Sequence, residues 1–238
     1  MRLLSSLAVK IYADGANKHE MIVLSSKDYI KGLTTNPSLM RHSGITDYSE
    51  FCKDILTHIS NKPILFEVFS DDFYEMERQA RIISSWGKNV YVKIPVMNTR
   101  RESSYELIRR LSYANIKLNV TAIMTLEQVE RVSASLSLAV PSIISIFVGR
   151  IADTGVYPVQ IIKDSKDIIS QTPSKELLWA SPRELLNIFQ ANSAGCDIIT
   201  VNTSILSKLN LLGKDLTEFS LETVRMFHSD AETAGYVL

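Results

Sequence analysis

Cysteine is scarce in this sequence, and an excess of charge of either sign is missing. The 238 residues contain only two cysteines, Cys52 and Cys196, which lie far apart and outside any C-x-x-C spacing. This argues against a disulfide framework and a zinc site, and the reducing cytoplasm is the expected compartment. Lys plus Arg and Asp plus Glu both number 26, so no whole-chain field attracts nucleic acid or an anionic membrane.

Long apolar runs and linkers are also missing. No stretch approaches the roughly 18 apolar residues of a membrane span, and the short apolar start is interrupted by Lys10 and Asp14 without a cleavage pattern. No low-complexity linker or break in composition marks a domain boundary. We therefore expect residues 1–238 to form a single soluble domain without a metal, a cofactor, a nucleic-acid partner or a membrane partner.

What the chain does contain is a regular alternation of short apolar runs and helical segments. The apolar runs lie at 8–14, 31–36, 64–70, 90–96, 116–124, 142–150, 176–181 and 196–202. Helical patterns lie at 20–29, 47–59, 72–85, 100–113, 125–138 and 158–171. Eight such repeats predict an α/β fold, a (β/α)8 TIM barrel over about 8–210, with a doubly wound open sheet as the alternative.

Helix starts and a terminal segment complete the pattern. Thr125 and Gln128 have the spacing of a capping box. Ser181-Pro182-Arg183-Glu184 combines an N-cap serine, an N1 proline and an N3 glutamate, which predicts the clearest helix start in the chain. An extra C-terminal helix is expected at about 215–234, where its apolar residues can pack on the barrel or on a neighbouring subunit.

A lysine stands in the middle of an apolar run, Val90-Tyr91-Val92-Lys93-Ile94-Pro95-Val96. The run has the composition of a strand buried on both faces. Removing an ammonium from water is costly, so a lysine in such a place tends to lose its proton or to serve chemistry. The simpler alternative is that Lys93 lies at a strand end and extends outward to solvent.

Polar residues recur where the predicted strands end, which is where a barrel has its active site. They are Asp14, Thr34, Thr35, Asn36, Glu67, Lys93, Asn119, Thr121, Ser145, Arg150, Ser181 and Arg183. Singly, each has a simpler interpretation, such as a turn at Asp14-Gly15 or Asn36-Pro37, a helix cap at Ser181 or a solvated arginine. Together they supply an amine, two carboxylates, hydrogen-bonding groups and two guanidinium groups, which favours a Schiff-base enzyme.

Several of these segments resemble the signature segments of the transaldolase family, in their order and at their spacing. They are Gly32-Leu33-Thr34-Thr35-Asn36-Pro37-Ser38-Leu39, Val92-Lys93-Ile94-Pro95, Asn119-Val120-Thr121-Ala122 and Phe147-Val148-Gly149-Arg150-Ile151. With the Asp14 strand and Ala180-Ser181-Pro182-Arg183, the resemblance covers about residues 10–210. It implies an α/β barrel in which a lysine of the fourth strand forms an imine with a ketose phosphate.

The resemblance also implies a role for each matching residue. Lys93 matches the imine lysine, Asp14 the acid/base group at the C4 hydroxyl, and Glu67 with Thr121 the pair that holds a catalytic water. Matches to substrate-binding positions are Thr34, Thr35, Asn36, Asn119, Ser145 and Phe147 for the sugar, and Arg150, Ser181 and Arg183 for the phosphate. An imine requires a neutral amine, and two carboxylates in different surroundings can divide the proton transfers.

Two positions bear on the choice between the family's two activities. Transaldolases resemble this sequence in having glutamate at Glu67 and phenylalanine at Phe147, whereas fructose-6-phosphate aldolases have glutamine and tyrosine. Transfer of a dihydroxyacetone unit between sugar phosphates is therefore expected, with aldolase activity or a specialised sugar pathway as the alternatives. A non-catalytic sugar-phosphate-binding barrel is a third alternative. Pro182 and Gly149 depart from the family pattern and concern the phosphate side.

The resemblance leaves the natural donor open between fructose 6-phosphate, sedoheptulose 7-phosphate and a less common sugar. It implies a homo-oligomer, either a decamer, as for small members of the family, or a dimer, as for longer ones. The chain is close in length to the aldolases and to small transaldolases. The extra C-terminal helix is compatible with subunit contacts.

Overall fold

Eight short parallel strands close into a barrel, in the order in which they occur in the chain. The computed structural model describes Leu4 and residues 6–238. The strands are β1 Lys10–Asp14, β2 Ile30–Thr34, β3 Ile64–Glu67, β4 Val90–Pro95, β5 Leu118–Ile123, β6 Ser142–Ile146, β7 Lys175–Trp179 and β8 Ile198–Asn202. β1 pairs with β8 as well as with β2, which closes the barrel. The (β/α)8 prediction is therefore confirmed over the open sheet.

Helices follow the strands and cover the outside of the barrel. They are α1 Lys18–Ser25, α2 Pro37–His42, α3 Tyr48–His58, α4 Phe73–Ser84, α5 Tyr105–Tyr113, α6 Leu126–Ser135, α7 Val148–Ala152, α8 Val159–Ile169, α9 Leu186–Ser193, α10 Thr203–Leu206 and α11 Leu216–Ala234, with a 3-10 turn at Ser207–Leu211. The predicted capping box at Thr125 and Gln128 is present at the start of α6. Asp47 and Asp72 cap α3 and α4 by accepting backbone N–H groups.

Alternation along the strands separates two apolar clusters. Residues that face outward, such as Phe66, Val92 and Ile144, pack between barrel and helices. Residues at the alternate positions, such as Leu65, Tyr91 and Ile143, fill the barrel interior. Strands buried on both faces are apolar throughout, which explains why the eight runs can be recognised from composition.

The interior cluster closes the barrel below its carboxyl end. The ring of Tyr12 lies over Gly32 so closely that a Cβ atom at residue 32 would be 2.5 Å from the ring. Gly32 therefore has no room for a side chain, and Tyr12 occupies that part of the interior. At the amino end of the barrel, Lys10 of β1 forms an ion pair with Glu176 of β7. The open end of the barrel is thus the end at which the strands finish.

The predicted sixth strand is too long at its carboxyl end. β6 ends at Ile146, and residues 148–150 of the predicted strand belong to α7 instead. The backbone of α7 packs closely against the segment after β7, because a Cβ atom at Gly149 would be 1.6 Å from the carbonyl oxygen of Ser181. The N–H of Gly149 donates to the carbonyl of Ala180 at 3.4 Å. Arg150 consequently lies on a short helix, not on the strand.

The predicted helix start at Ser181 is wrong. Ser181 has φ +62°, in the left-handed region, and α9 begins only at Leu186. The side-chain oxygen of Asn187 accepts the N–H groups of Arg183 and Glu184 at 2.7 and 3.1 Å. Asn187 therefore satisfies from the helix side the donors that a serine cap was expected to satisfy. Ser181 lies just after the end of β7, where its left-handed conformation turns the chain toward Gly149.

Other boundaries shift for local reasons. The helix predicted from 100 begins at Tyr105, because a bridge between Met97 and Ser103 holds the preceding residues in a loop. Asn36-Pro37 is more than a turn, since Asn36 accepts the N–H of Leu39 at 3.0 Å and caps α2. The first helix lies at 18–25, whereas it was predicted at 20–29.

The extra C-terminal helix is present as α11. Its residues, all of them described, are exposed or partly exposed, including Leu216, Phe219, Val224 and Phe227. Its side chains therefore cover little of the barrel. Among the described residues, no helix combines the length and the apolar character that crossing a bilayer requires.

Candidate active site

A polar cavity of about 170 Å³ opens at the carboxyl ends of the strands. Its walls come from most of the barrel strands and the loops that follow them. They are formed by Asp14, Thr34, Asn36, Lys93, Asn119, Thr121, Ser145, Phe147, Arg150, Leu178, Ala180, Ser181 and Thr200. The structure thus brings together most of the residues predicted from the sequence. Three predicted residues do not line the cavity. Glu67 and the carbonyl of Thr35 contact Nζ of Lys93, and Arg183 lies outside the cavity.

Lys93 lies at the centre of β4 and is only 8% exposed. Its Nζ atom donates to the carbonyl oxygen of Thr35 at 3.1 Å and lies 3.0 Å from Oε2 of Glu67. The register of β3 and β4 places Glu67 directly beside Lys93. Lys93 therefore lies inside the barrel wall, as its apolar surroundings predicted, and does not extend outward to solvent. A carboxylate at this distance can take up or return a proton of the amine.

Tyr48 holds Glu67 in place, and the sequence did not suggest it as part of the site. Its hydroxyl donates to the carbonyl of Glu67 at 2.7 Å and accepts the N–H of Glu67 at 2.9 Å. Both backbone groups at the end of β3 are thereby satisfied by one side chain. The only sequence signal is a tyrosine at the first position of a helix capped by Asp47, which is too common to be recognised.

Asp14 stands at the end of β1, on the cavity wall. Burial raises its pKa from 3.8 to about 6; the positive charge of Lys93 opposes this rise, and the negative charge of Glu67 adds to it. A carboxyl group with such a pKa exchanges its proton near neutral pH. Asp14 therefore has the protonation behaviour of an acid/base group, which burial creates and the neighbouring carboxylate of Glu67 reinforces.

Hydrogen-bonding side chains from β5 and β6 face the cavity beside Lys93. Asn119, Thr121 and Ser145 are all at most 3% exposed. The Oδ1 atom of Asn119 has no hydrogen-bond partner among the described residues. Ala122 follows Thr121 with φ +62°, where the pairing of β5 with β6 shifts register. A buried, unpaired amide oxygen on a cavity wall is suited to a hydroxyl-bearing ligand.

Three residues of the wall were missed by the sequence analysis, namely Leu178, Ala180 and Thr200. Thr200 carries a signal that was available. In β8, Ile198, Thr200 and Asn202 alternate with outward-facing apolar residues, so a polar residue at this phase must face the interior. Leu178 in β7 and Ala180 directly after β7 are apolar, so the sequence does not distinguish them from ordinary core residues.

The side of the cavity formed after β6 and β7 is more exposed. Arg150 and Ser181 belong to the wall, and the guanidinium carbon of Arg150 lies 5.9 Å from the ring centre of Phe147. Arg183 instead forms an ion pair with Asp153, with Nε 2.9 Å from Oδ1. The structure therefore gives the cavity one of the two predicted arginines, and places the second at its margin.

A buried lysine in β4 of a closed parallel barrel, 3.0 Å from the carboxylate of Glu67 and on the same cavity wall as Asp14, is an arrangement typical of an enzyme site. The comparisons agree with this class. The family model "Transaldolase/Fructose-6-phosphate aldolase" matches residues 11–236. The chain belongs to this family and is a transaldolase-type enzyme.

Similar proteins support the assignment at modest identity. The chain is 33% identical over 228 residues to a "Probable transaldolase" of Thermoanaerobacter sp. (strain X514), covering 95% of this chain and 99% of that protein. It is 34% identical over 202 residues to a "Probable transaldolase" of Carboxydothermus hydrogenoformans, covering 84% and 90%. The solved structure of KGPDC from Streptococcus mutans has a TM-score of 0.57 at 9% identity, covering 86% of this chain and 92% of that one, and shows the fold alone.

Proposed function

We propose that the chain transfers a dihydroxyacetone unit from a ketose phosphate to an aldose phosphate through an imine at Lys93. The observation that supports this most directly is the group of Lys93, Glu67 and Asp14 at one end of the barrel, with Nζ of Lys93 3.0 Å from the Glu67 carboxylate. The donor is fructose 6-phosphate or sedoheptulose 7-phosphate. Release of free dihydroxyacetone is the alternative activity within the family.

In the first step, the neutral amine of Lys93 attacks the C2 carbonyl of the ketose. Glu67 takes the proton that the amine loses and, with Thr121, holds the water that departs when the carbinolamine becomes an iminium ion. The carbonyl of Thr35, 3.1 Å from Nζ, keeps the lysine aligned before the substrate enters. The same groups serve in reverse when the imine is hydrolysed.

In the second step, ionised Asp14 takes the proton of the C4 hydroxyl and the C3–C4 bond breaks. The electrons of that bond move to the iminium nitrogen, which leaves an enamine on Lys93 and an aldehyde as the departing product. An acceptor aldehyde then adds to the enamine carbon, and Asp14 returns the proton to the new alkoxide. The pKa of about 6 suits a group that must work in both directions.

Phe147 favours transfer over release. It lines the cavity and offers no hydroxyl with which to activate water near the imine. The enamine can therefore persist until an acceptor aldehyde arrives.

The other residues of the site bind the substrate. Asn36, Asn119 and Ser145 are proposed to bind sugar hydroxyls, with Thr34 and Thr35 beside them. The phosphate is proposed to bind to Arg150, Ser181 and Arg183.

Trapping of the imine tests the proposal. Incubation with fructose 6-phosphate and borohydride should add a stable mass to the peptide that contains Lys93, and Lys93→Ala should lose at least about 10³-fold in kcat because the nucleophile is gone. Lys175→Ala is the matched control, since Lys175 is equally buried and contacts the carbonyl of Ser133, away from the cavity. An adduct on another lysine would contradict the mechanism.

Two further properties belong to the proposal. We infer that the enzyme works in the cytoplasm, in keeping with two buried free cysteines. We also infer that it is a homo-oligomer, a decamer or a dimer, because α11 presents Leu216, Phe219 and Phe227 to solvent in the single chain. Light scattering coupled to size-exclusion chromatography measures the assembly, and a monomer at micromolar concentration would contradict it.

A further inference from the structure

An ion pair stands at the margin of the cavity, on the side of the two arginines. Asp153 follows α7 directly, and Arg183 belongs to the loop after β7. Nε of Arg183 lies 2.9 Å from Oδ1 of Asp153, and a second nitrogen of the guanidinium contacts the other carboxylate oxygen. Both side chains are about half exposed, at 49% and 52%. The carboxylate therefore occupies the paired N–H donors with which Arg183 would bind a phosphate.

Asp153 also lies within the electrostatic reach of Arg150. Hydrogen bonds from Arg183 hold the pKa of Asp153 below its ordinary value, and the charge of Arg150 lowers it further. Arg150 lies one turn earlier in the chain and lines the cavity. The carboxylate of Asp153 thus interacts with two guanidinium groups, that of Arg183 outside the cavity through hydrogen bonds and that of Arg150 on the cavity wall through its charge. A phosphate bound by Arg183 would take the place that this carboxylate occupies.

The ion pair is one that a phosphate can displace. Exposed pairs contribute little free energy, because water screens them and two long side chains must be held still. A phosphate group carries more charge than a carboxylate and presents the same paired oxygens to a guanidinium. Competition between the two anions for Arg183 therefore follows from the geometry, and the balance between them sets how strongly a phosphorylated sugar is preferred.

We propose that Asp153 is a specificity-determining residue, which competes with the substrate phosphate for Arg183 and thereby weakens the enzyme's preference for phosphorylated sugars. This inference rests on the proposed function only in that the substrate carries a phosphate. Asp153 touches none of the reacting atoms and acts through Arg183. Its role is to hold Arg183 at the margin until a phosphate draws it toward Arg150.

Replacing the carboxylate should strengthen phosphate binding. In Asp153→Asn the dissociation constant of inorganic phosphate, measured by isothermal titration calorimetry, should fall about two- to fivefold, which is the range expected for an exposed charge pair. The KM for fructose 6-phosphate should fall by a similar factor. The kinetics with unphosphorylated dihydroxyacetone as donor should change less than twofold. Asp153→Ala should behave in the same way and excludes an effect of the new amide.

Asp164→Asn is the matched control. It removes the same charge from a partly exposed aspartate whose partner is the side chain of Gln160, on the outer helix α8. Phosphate affinity should not change in this variant. If the control tightens phosphate binding as much as Asp153→Asn, the effect is one of net charge, and the proposal is overturned.

A second background tests whether Asp153 acts through Arg183. In Arg183→Gln the further change Asp153→Asn should lose most of its benefit for phosphate binding. Unchanged or weaker phosphate binding in Asp153→Asn itself overturns the proposal, as does a benefit that persists in full without Arg183. Phosphate affinity is measured without turnover, so loss of the proposed reaction and loss of this competition are separate results. Thermal unfolding of each variant verifies that it is folded.

Discussion

The two halves of the cavity are built in different ways. Around Lys93, the functional groups stand on strands and are held by register, as with Glu67 beside Lys93, or by buried contacts, as with Tyr48 on the backbone of Glu67. Around Arg150, they stand on a short helix and a loop, and Arg183 is half exposed. In the proposed function, the half around Lys93, the rigid half, carries the chemistry that needs fixed distances, and the half around Arg150, the adaptable half, binds the phosphate.

Among variants of the rigid half that keep the nucleophile Lys93, Asp14→Asn should have the largest effect on activity. The amide cannot take the C4 proton, so we expect kcat to fall by about 10² to 10⁴. Borohydride trapping at Lys93 should persist, because imine formation does not require Asp14. Loss of trapping together with turnover would place Asp14 in imine formation and contradict the assigned division of roles.

The same variant should be more stable at neutral pH. Because the pKa of Asp14 is raised from 3.8 to about 6 by folding, its favourable contribution is complete below pH 4 and is lost as the pH rises through 6. In Asp14→Asn, the amide cannot ionise, so this pH-dependent loss of stability does not occur. The free energy of unfolding in urea should therefore exceed that of the unmodified protein by about 2 kcal/mol at pH 7.5 and by much less at pH 4.

Arg150→Ala tests the arginine of the adaptable half that lines the cavity. Arg150 lines the cavity, and we expect the KM for a phosphorylated donor to rise by about 10-fold to 10²-fold, since a charge-assisted contact in a partly enclosed site is lost. Arg183→Ala should raise it by less than about tenfold, because an exposed pair with Asp153 is broken at the same time. Equal effects of the two variants on KM would remove the distinction between an inner and a marginal arginine.

Phe147→Tyr changes the outcome of the reaction more than its speed. A hydroxyl near the imine carbon can activate water, so release of free dihydroxyacetone from fructose 6-phosphate should increase, and the ratio of transfer to release should fall by about tenfold or more. The assay is run with and without an acceptor aldose. If the unmodified protein already releases dihydroxyacetone as fast as it transfers it, the aldolase alternative holds.

Tyr48→Phe should have the smallest effect. Two hydrogen bonds to the backbone of Glu67 are lost, which should lower the free energy of unfolding by about 1 to 3 kcal/mol and kcat by a few-fold through the position of Glu67. Tyr74→Phe is the control, since Tyr74 is 82% exposed. A kcat unchanged in Tyr48→Phe at a temperature where the protein is folded would restrict Tyr48 to a structural role.

More of the rigid half of the cavity than of the adaptable half can be predicted from the sequence. Lys93, Asn119 and Thr121 stand out because a polar residue inside an apolar strand is rare, and strand register then fixes where it lies. The helix start predicted at Ser181 is wrong because its neighbours fit the pattern of a helix cap. Its conformation is decided instead by the close contact with Gly149, which is distant in sequence. The pair of Asp153 with Arg183 joins two loops, and no local spacing reveals it.

The contact between Gly149 and Ser181 ties two segments of the chain that carry ligand-facing groups. Since the carbonyl of Ser181 fills the volume that any side chain at residue 149 would need, the two segments pack backbone against backbone. Arg150 and Ser181 should consequently move as one body, with correlated displacements and a separation that changes little with temperature. Arg183, two residues beyond this junction, is the first group on that path with freedom to reorient.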